Sequence, residues 1–292
     1  FKKVEHLGIY ETPSILAEFL VKNTLDIHFD KNKTNFLNGI QESNTQKIVD
    51  SIRKFQNFTI CDPMVGSGIF VKEIISYLVE LRNWFIQQSR KNNLNLKITQ
   101  DYPLVFTVSQ TEFIEHLLTH SIYGVDLDVD NLEDCKFTLA KILMINKNTL
   151  DSNFKNGNSL IDSFNSDHFK LLIDKEYVRI ISLISLRNKS KNQSLNSSDI
   201  KKYTQIKNEL LKKIKSDPNY NLIPTNISKD YFSWPLEFPE IFFDENGKSK
   251  KRPGFDIVIG NPPWKVLKPD DREFFERIQP GFSTLKRKQR DD

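Results

Sequence analysis

Cysteine is nearly missing from this chain: its 292 residues hold only Cys61 and Cys135. Two thiols cannot build a disulfide framework or a four-cysteine zinc site, and the scarcity fits a reducing cytoplasm. No charge of one sign dominates, because 42 Lys and Arg stand against 38 Asp and Glu, a formal excess of +4. With 38% hydrophobic and 27% charged residues and a mean hydropathy of −0.48, a membrane bundle, a collagen-like repeat and a fully disordered tail are excluded. No n-region and h-region pattern of a signal peptide opens the chain. Phe rather than Met stands at position 1, so the chain is expected to be part of a longer protein. Its length suits one large domain or two small ones.

The charge is uneven along the chain. Residues 167–217 carry twelve Lys and Arg against six Asp and Glu, an excess of six, and Lys286, Arg287, Lys288 and Arg290 form a second cluster. Such stripes serve polyanions or are simply solvated helix faces. Thr12 and Pro13 are placed as N-cap and first turn of a helix, with Ile15, Leu16, Phe19 and Leu20 at helical spacing. Polar, Asn-rich residues 31–44 read as a loop, and residues 48–55 as a second helix. Residues 58–61 read as a buried strand, 69–88 as a long helix, 112–118 as a short one, 121–125 as a strand and 129–143 as a helix. A weak strand signal follows at 154–158, then basic helices at 171–186 and 200–214 separated by a flexible tip at 188–198, and a last strand at 255–259. This strand, turn, helix, strand rhythm predicts a doubly wound, mostly parallel sheet covered by helices.

Three of those strands run into polar or glycine-rich clusters, and parallel sheets place ligands at the carboxyl ends of their strands. Asp62-Pro63-Met64-Val65-Gly66-Ser67-Gly68 is a tight turn whose glycines allow close backbone approach to a ligand; a plain structural turn is the other reading. It lacks Gly-Lys-Ser/Thr and has Val71 where a dinucleotide fingerprint has its third glycine, so neither phosphate motif applies. The leading Asp62 repels a pyrophosphate and suits a cationic or hydroxyl-bearing ligand, such as S-adenosylmethionine (SAM) with its ammonium and sulfonium. Asp126 suits a bidentate bond to ribose hydroxyls, although an acid there taken alone is more often a cap on the following helix. Asn261-Pro262-Pro263-Trp264 follows a buried apolar strand. Its two prolines fix the backbone, the Asn261 amide oxygen and the Pro262 carbonyl can receive the two hydrogens of an exocyclic amine, and Trp264 offers a stacking surface.

These residues together resemble the amino-methylating DNA methyltransferases, in particular adenine-N6 enzymes of gamma-type motif order, and among them the methyltransferase part of type IIG, type ISP and BREX-like restriction-modification and phage-defence enzymes. In that family the DPxxGSG turn is motif I, the acidic strand end motif II and NPP-aromatic motif IV. Gly8-Ile9-Tyr10-Glu11-Thr12-Pro13-Ser14-Ile15-Leu16-Ala17 is similar to motif X, which closes over the methionine part of SAM, and Gly157-Asn158-Ser159-Leu160 to motif III, where an amide replaces the frequent acid. The segment from Phe232 to Phe242, FSWPLEFPEIF, followed by FDIVIGNPPW, is similar to a stretch of the large fused enzymes. The resemblance spans residues 7–264.

The resemblance implies a Rossmann-like SAM-dependent methyltransferase fold with a helical N-terminal segment carrying motif X (1–55), a SAM-binding α/β core (56–164), a helical basic insertion (165–230) and a catalytic strand, NPPW loop and tail (231–292), the sheet being incomplete in this chain. It implies SAM as cofactor, held by Tyr10, Thr12, Pro13, Asp62, Pro63, Gly66, Gly68, Phe70, Asp126, Leu127, Asn158, Ser159 and Asn261, with Asn261, Pro262, Pro263 and Trp264 catalytic. The implied reaction is direct methyl transfer to the N6 amine of an adenine flipped from double-stranded DNA. Implied partners are that DNA, contacted by the basic insertion, and a target-recognition part and a nuclease outside this chain, where no Asp…Glu-x-Lys signature occurs. Neither cysteine is placed to attack a pyrimidine ring, and both read as core thiols. His116 and His120 lack an acidic partner set and read as packing or surface groups; no metal and no membrane contact is expected. The alternatives are an amine methyltransferase acting on protein glutamine or RNA, and a SAM- or DNA-binding fragment without turnover.

Overall fold

Every third or fourth residue from Ala17 to Gly39 is buried in one seam, Ala17, Val21, Leu25, Phe29, Asn32, Phe36 and Gly39, and this spacing holds a single helix α1, Ser14–Gln41, together. The expected loop at 31–44 is thereby corrected. Phe29 and Phe36 continue the apolar seam, and the Asn32 amide is buried but satisfied, donating to the Ser51 main-chain oxygen at 2.9 Å. The N-cap expectation for Thr12 is corrected as well. Pro13 is the residue before α1, its carbonyl accepts the first helical N–H groups, and no side chain caps them.

The computed structural model describes residues 12–160, 175–193, 195–216 and 232–262. One unit comprises residues 12–261; the other comprises 1–11 and 262–292, of which Pro262 alone is described. After α1 come α2 (Thr45–Gln56), β1 (Ile60–Asp62), α3 (Ile69–Lys91) and three short helices, α4 (Leu96–Asp101), α5 (Pro103–Phe106) and α6 (Gln110–His116). A π-helical turn, Leu117–Ser121, leads into β2 (Ile122–Asp126), followed by α7 (Val129–Leu143), a 3-10 turn (Lys147–Ser152) and β3 (Phe154–Asn156). The rest is α8 (Tyr177–Asn192), α9 (Ser197–Lys215), single turns α10 (Trp234–Glu237) and α11 (Pro239–Phe242), and β4 (Ile257–Val258). Of the helix expected at 171–186, residues 171–174 lie outside the described residues and the described helix runs from Tyr177; the tip expected from 188 is helical to Asn192, where Lys189 and Lys191 are anchored by Asp199 and Glu240.

The protein is a mostly helical α/β fold around a small sheet. Its four strands are all parallel in the order β3-β2-β1-β4. The chain runs outward from β1 through β2 to β3, then returns to lay β4 on the other side of β1, so the direction of winding switches between β1 and β4. One apolar core joins the seam of α1 to α2, α3 and the strands, with Phe29, Phe36, Phe55, Phe85 and Phe113 in edge and stacked contacts. Each such buried ring contributes roughly 1.5–3 kcal/mol. A smaller cluster of Cys61, Tyr123, Val125, Phe232, Phe238 and Ile241 packs elsewhere on β1 and β2. No helix among the described residues is long and apolar enough to cross a membrane.

Candidate functional site

β1 carries Ile60, Cys61 and Asp62 inward, all buried, and the chain then turns at once. The turn is fastened to the neighbouring strand: Val65 N–H donates to the Val125 oxygen at 2.9 Å, and Gly66 N–H to Asp126 Oδ2 at 2.8 Å. Gly66 and Gly68 have φ of +49° and +81°. A Cβ on Gly66 meets only the Met64 main-chain oxygen, at 3.9 Å, whereas one on Gly68 lies 2.8 Å from Cys135 Sγ. The first glycine thus leaves the turn bare toward solvent, and the second lets α3 pack on α7. Gly68→Ala combines left-handed strain with overpacking and is expected to destabilise the protein by about 2–4 kcal/mol in a chemical denaturation measurement, with Gly66→Ala milder.

At the end of β2, Asp126 accepts on both oxygens, from Gly66 N–H and, at 2.9 Å, from Asp128 N–H. The cap on α7 falls to Asp128 instead, whose carboxylate accepts from Asp130 and Asn131 N–H. β3 ends beside it: the Asn156 amide donates to the main-chain oxygens of Asp126 and Leu127 at 3.0 and 2.9 Å, and Gly157 N–H donates to Asp126 O at 2.8 Å. Asn158 accepts from Leu160 N–H in a local turn, and Ser159 O accepts from the Trp234 indole at 3.1 Å. The aromatic segment 232–242 is therefore the support of the 157–160 loop.

β4 brings the third cluster to the same edge. Thr59 and Asp256 clamp its start, the carboxylate accepting from Thr59 N–H at 2.8 Å and from its hydroxyl at 3.0 Å. At its end Gly260 lies against the Asp62 carboxylate, where a Cβ meets Oδ1 at 2.7 Å. Asn261, next in the chain, donates from Nδ2 to Thr12 Oγ1 at 3.1 Å. The hydroxyl that sequence assigned to a helix cap is thus a contact of the Asn261 amide. The structure brings Thr12, Asp62, Gly66, Asp126 and Asn261 to the carboxyl edge of adjacent strands.

Asp62 dominates the electrostatics of this edge. Burial, reinforced by the Asp126 charge and only partly offset by a hydrogen bond from Met64 N–H, pushes its carboxyl up to about 7. Its Oδ2 is buried without a hydrogen-bond partner among the described residues. Burial likewise pushes both thiols up, Cys61 far and Cys135 to about 12, so neither is a nucleophile at neutral pH.

Pro63 is half-buried beside Gly260, Pro13 and Leu127 are exposed, and Phe70 is buried in the main core with the side chains of α3. Pro262 is exposed, while Tyr10, Pro263 and Trp264 lie outside the described residues. Sequence reading missed Asn156 and Asp256, whose roles depend on a cross-strand partner 30 and 197 residues away. Some of the lysines of the basic helices are paired, Lys189 and Lys213 with Asp199 and Glu176 of the same segment and Lys207 with Glu237 outside it.

No curated protein and no solved structure matches the chain. A sequence model of the Eco57I restriction-modification methylase family does match, over residues 120–291, which include β2, β3, the basic helices, the aromatic segment and the Asn261 loop. That span is more than half of the chain, and the chain belongs to the Eco57I restriction-modification methylase family.

Proposed function

We propose that this restriction-modification methyltransferase uses SAM to methylate the N6 amine of an adenine extruded from double-stranded DNA. The observation that carries the reading is the switch in winding between β1 and β4. Open parallel sheets bind ligands outside the strand ends at such a point, and here it is flanked by Asp62 and the glycine turn on β1 and by Gly260 and Asn261 on β4.

The residues fit the cofactor. An orphaned, buried carboxylate oxygen on Asp62 suits the ammonium of SAM, and a neighbouring cation stabilises the ionised form that burial disfavours. Gly66 is bare of side chain where a ligand would pass, and each oxygen of Asp126 keeps lone pairs beyond its backbone bond for ribose hydroxyls. SAM supplies an electrophilic methyl group. On the protein side, Asn261 and the Pro262 carbonyl accept the hydrogens of the adenine amine, whose lone pair is otherwise delocalised into the ring. The chain thus contributes orientation and electrostatics rather than a covalent intermediate.

Purified protein incubated with tritium-labelled SAM and duplex DNA is expected to label adenine N6; label on another base, on RNA or on protein glutamine overturns the assignment. Asp126→Ala removes the acceptor of the Gly66 amide together with the ribose partner. SAM binding is expected to weaken about 10–100-fold by calorimetry, the equivalent of about 1–3 kcal/mol. An unchanged Kd rejects the role of Asp126.

A further inference from the structure

At the amino ends of β2 and β3, the edge of the sheet opposite the strand ends just described, lies a cavity of about 810 Å3. Its wall is formed by the π turn before β2, the 3-10 turn before β3, and α8. The volume lies in the range of small-molecule sites.

The cations of this wall outnumber the carboxylates available to them. Arg187 and Lys191 share the single carboxylate of Glu240 at 2.8 and 2.9 Å. The Lys155 ammonium donates to the main-chain oxygen of Asp151 at 2.7 Å, while the Asp151 carboxylate belongs to Lys136 at 2.9 Å. Lys155 therefore has no carboxylate partner among the described residues. The side chains lining the cavity include three cations, Lys155, Arg187 and Lys191, against two acids, Glu115 and Asp151. A second observation points the same way: Ser152 is 8% exposed, and its hydroxyl is buried without a hydrogen-bond partner although it lines the cavity. The rings of His116 and His120, which line the same cavity, stack at 4.2 Å, 7° from parallel. An unmatched ammonium and an unmatched hydroxyl in one cavity are costly unless something else satisfies them.

We propose that this cavity binds the phosphate group of a small ligand, with Lys155 and the Ser152 hydroxyl donating to its oxygens and the His116–His120 pair flanking them. Phosphate suits the wall better than a single carboxylate because its three or four oxygens can meet donors converging from the strand, the 3-10 turn and the π turn at once. The protonation of the wall is in keeping: burial, then Arg187, lowers Lys155 to about 8, and burial, then His120 and Lys191, lowers His116 to about 4. An anion compensates both groups. The volume exceeds one phosphate, so inorganic phosphate, pyrophosphate and ATP are separate arms of the test.

The purified protein is titrated with each anion against sodium chloride of equal ionic strength, following the C2–H proton resonances of His116 and His120, assigned through His116→Gln and His120→Gln. At least one anion is expected to shift both resonances saturably and to raise Tm. Lys155→Gln is expected to weaken that binding about tenfold or more, and Lys155→Arg, which keeps the charge, to restore it. Strongest binding by ATP identifies a nucleotide, and equal binding by all three identifies the phosphate alone. The proposal is overturned if no anion moves the two histidines, if binding survives Lys155→Gln, or if only duplex DNA moves them. The histidine readout uses the unaltered protein, so misfolding of a variant leaves it decisive, and none of it depends on methyl transfer.

Discussion

Asn261→Ala is expected to lower the rate of methyl transfer by a factor on the order of 10²–10³ or more while leaving SAM affinity nearly intact, because in the proposed mechanism the amide acts on the amine that reacts. Single-turnover transfer to duplex DNA and calorimetry with SAM, run on the same preparation, measure the two halves of this statement. The geometry around the amide gives the split its basis. Asn261 follows β4, which is paired to β1 through Ile257 and Val258, and its nitrogen donates to Thr12 Oγ1 at 3.1 Å. In the proposed site the amide oxygen is the acceptor that the adenine amine needs. Truncation to Ala removes the acceptor yet leaves Asp62, Gly66 and Asp126 held by their own backbone bonds. Equal activity in the variant rejects the role of Asn261; a parallel loss of SAM binding relocates the residue to the cofactor.

Glu240→Ala is expected to destabilise the protein by about 3–5 kcal/mol, read as a shift in denaturation midpoint at pH 7. Among the described residues Glu240 is the one carboxylate paired with the two buried cations Arg187 and Lys191, and its Oε1 also accepts from Tyr123 at 3.3 Å. Arg187 reaches further, to the Ser152 oxygen and to Asn153 Oδ1, so the network ties α8 to the start of β3 and to the aromatic segment. Removing the acid leaves both cations without compensation. Although burial by itself pushes the Glu240 carboxyl upward, Arg187 and then Lys191 hold it at about 2, below its ordinary 4.5. A depressed carboxyl contributes its full stability above pH 4.5 and loses it as the pH falls toward 2. The wild-type protein is therefore expected to lose stability over that window, and Glu240→Ala to lose less of it. Identical acid profiles overturn the assignment.

Much of the fold was legible because its signals are local. Residues 129–143 form the helix their spacing predicts, with Leu132, Cys135 and Leu139 buried, and the three polar clusters do sit at strand ends. Composition misled where a polar residue has a distant partner. Asn32 reads as loop-forming, yet its amide bonds Ser51 across α1 and α2, and the helix continues. Thr12 reads as a cap until Asn261, 249 residues on, accounts for its hydroxyl. The lysines of α8 and α9 read as a polyanion stripe, yet Lys189 and Lys213 are paired with Asp199 and Glu176 across the two helices, and Lys207 with Glu237 of α10. At the candidate site the glycine turn and the Asn-Pro step could be picked out by motif. Asn156, Asp256 and the aromatic support of the 157–160 loop could not, since each works only through a neighbour supplied by strand order.

That order also has a bearing on synthesis. Ile60 waits 62 residues for its β2 neighbour Ile122 but 197 for Ile257 on the other side. Closing the longer loop costs about 1 kcal/mol more in chain entropy. A nascent chain that has emerged only as far as residue 256 can pair β1 with β2 and β2 with β3, yet leaves the opposite flank of β1 with unsatisfied main-chain groups, open to pairing with another molecule. Asp62 and the glycine turn therefore gain their neighbours Gly260 and Asn261 only once β4, the latest strand among the described residues, has been made.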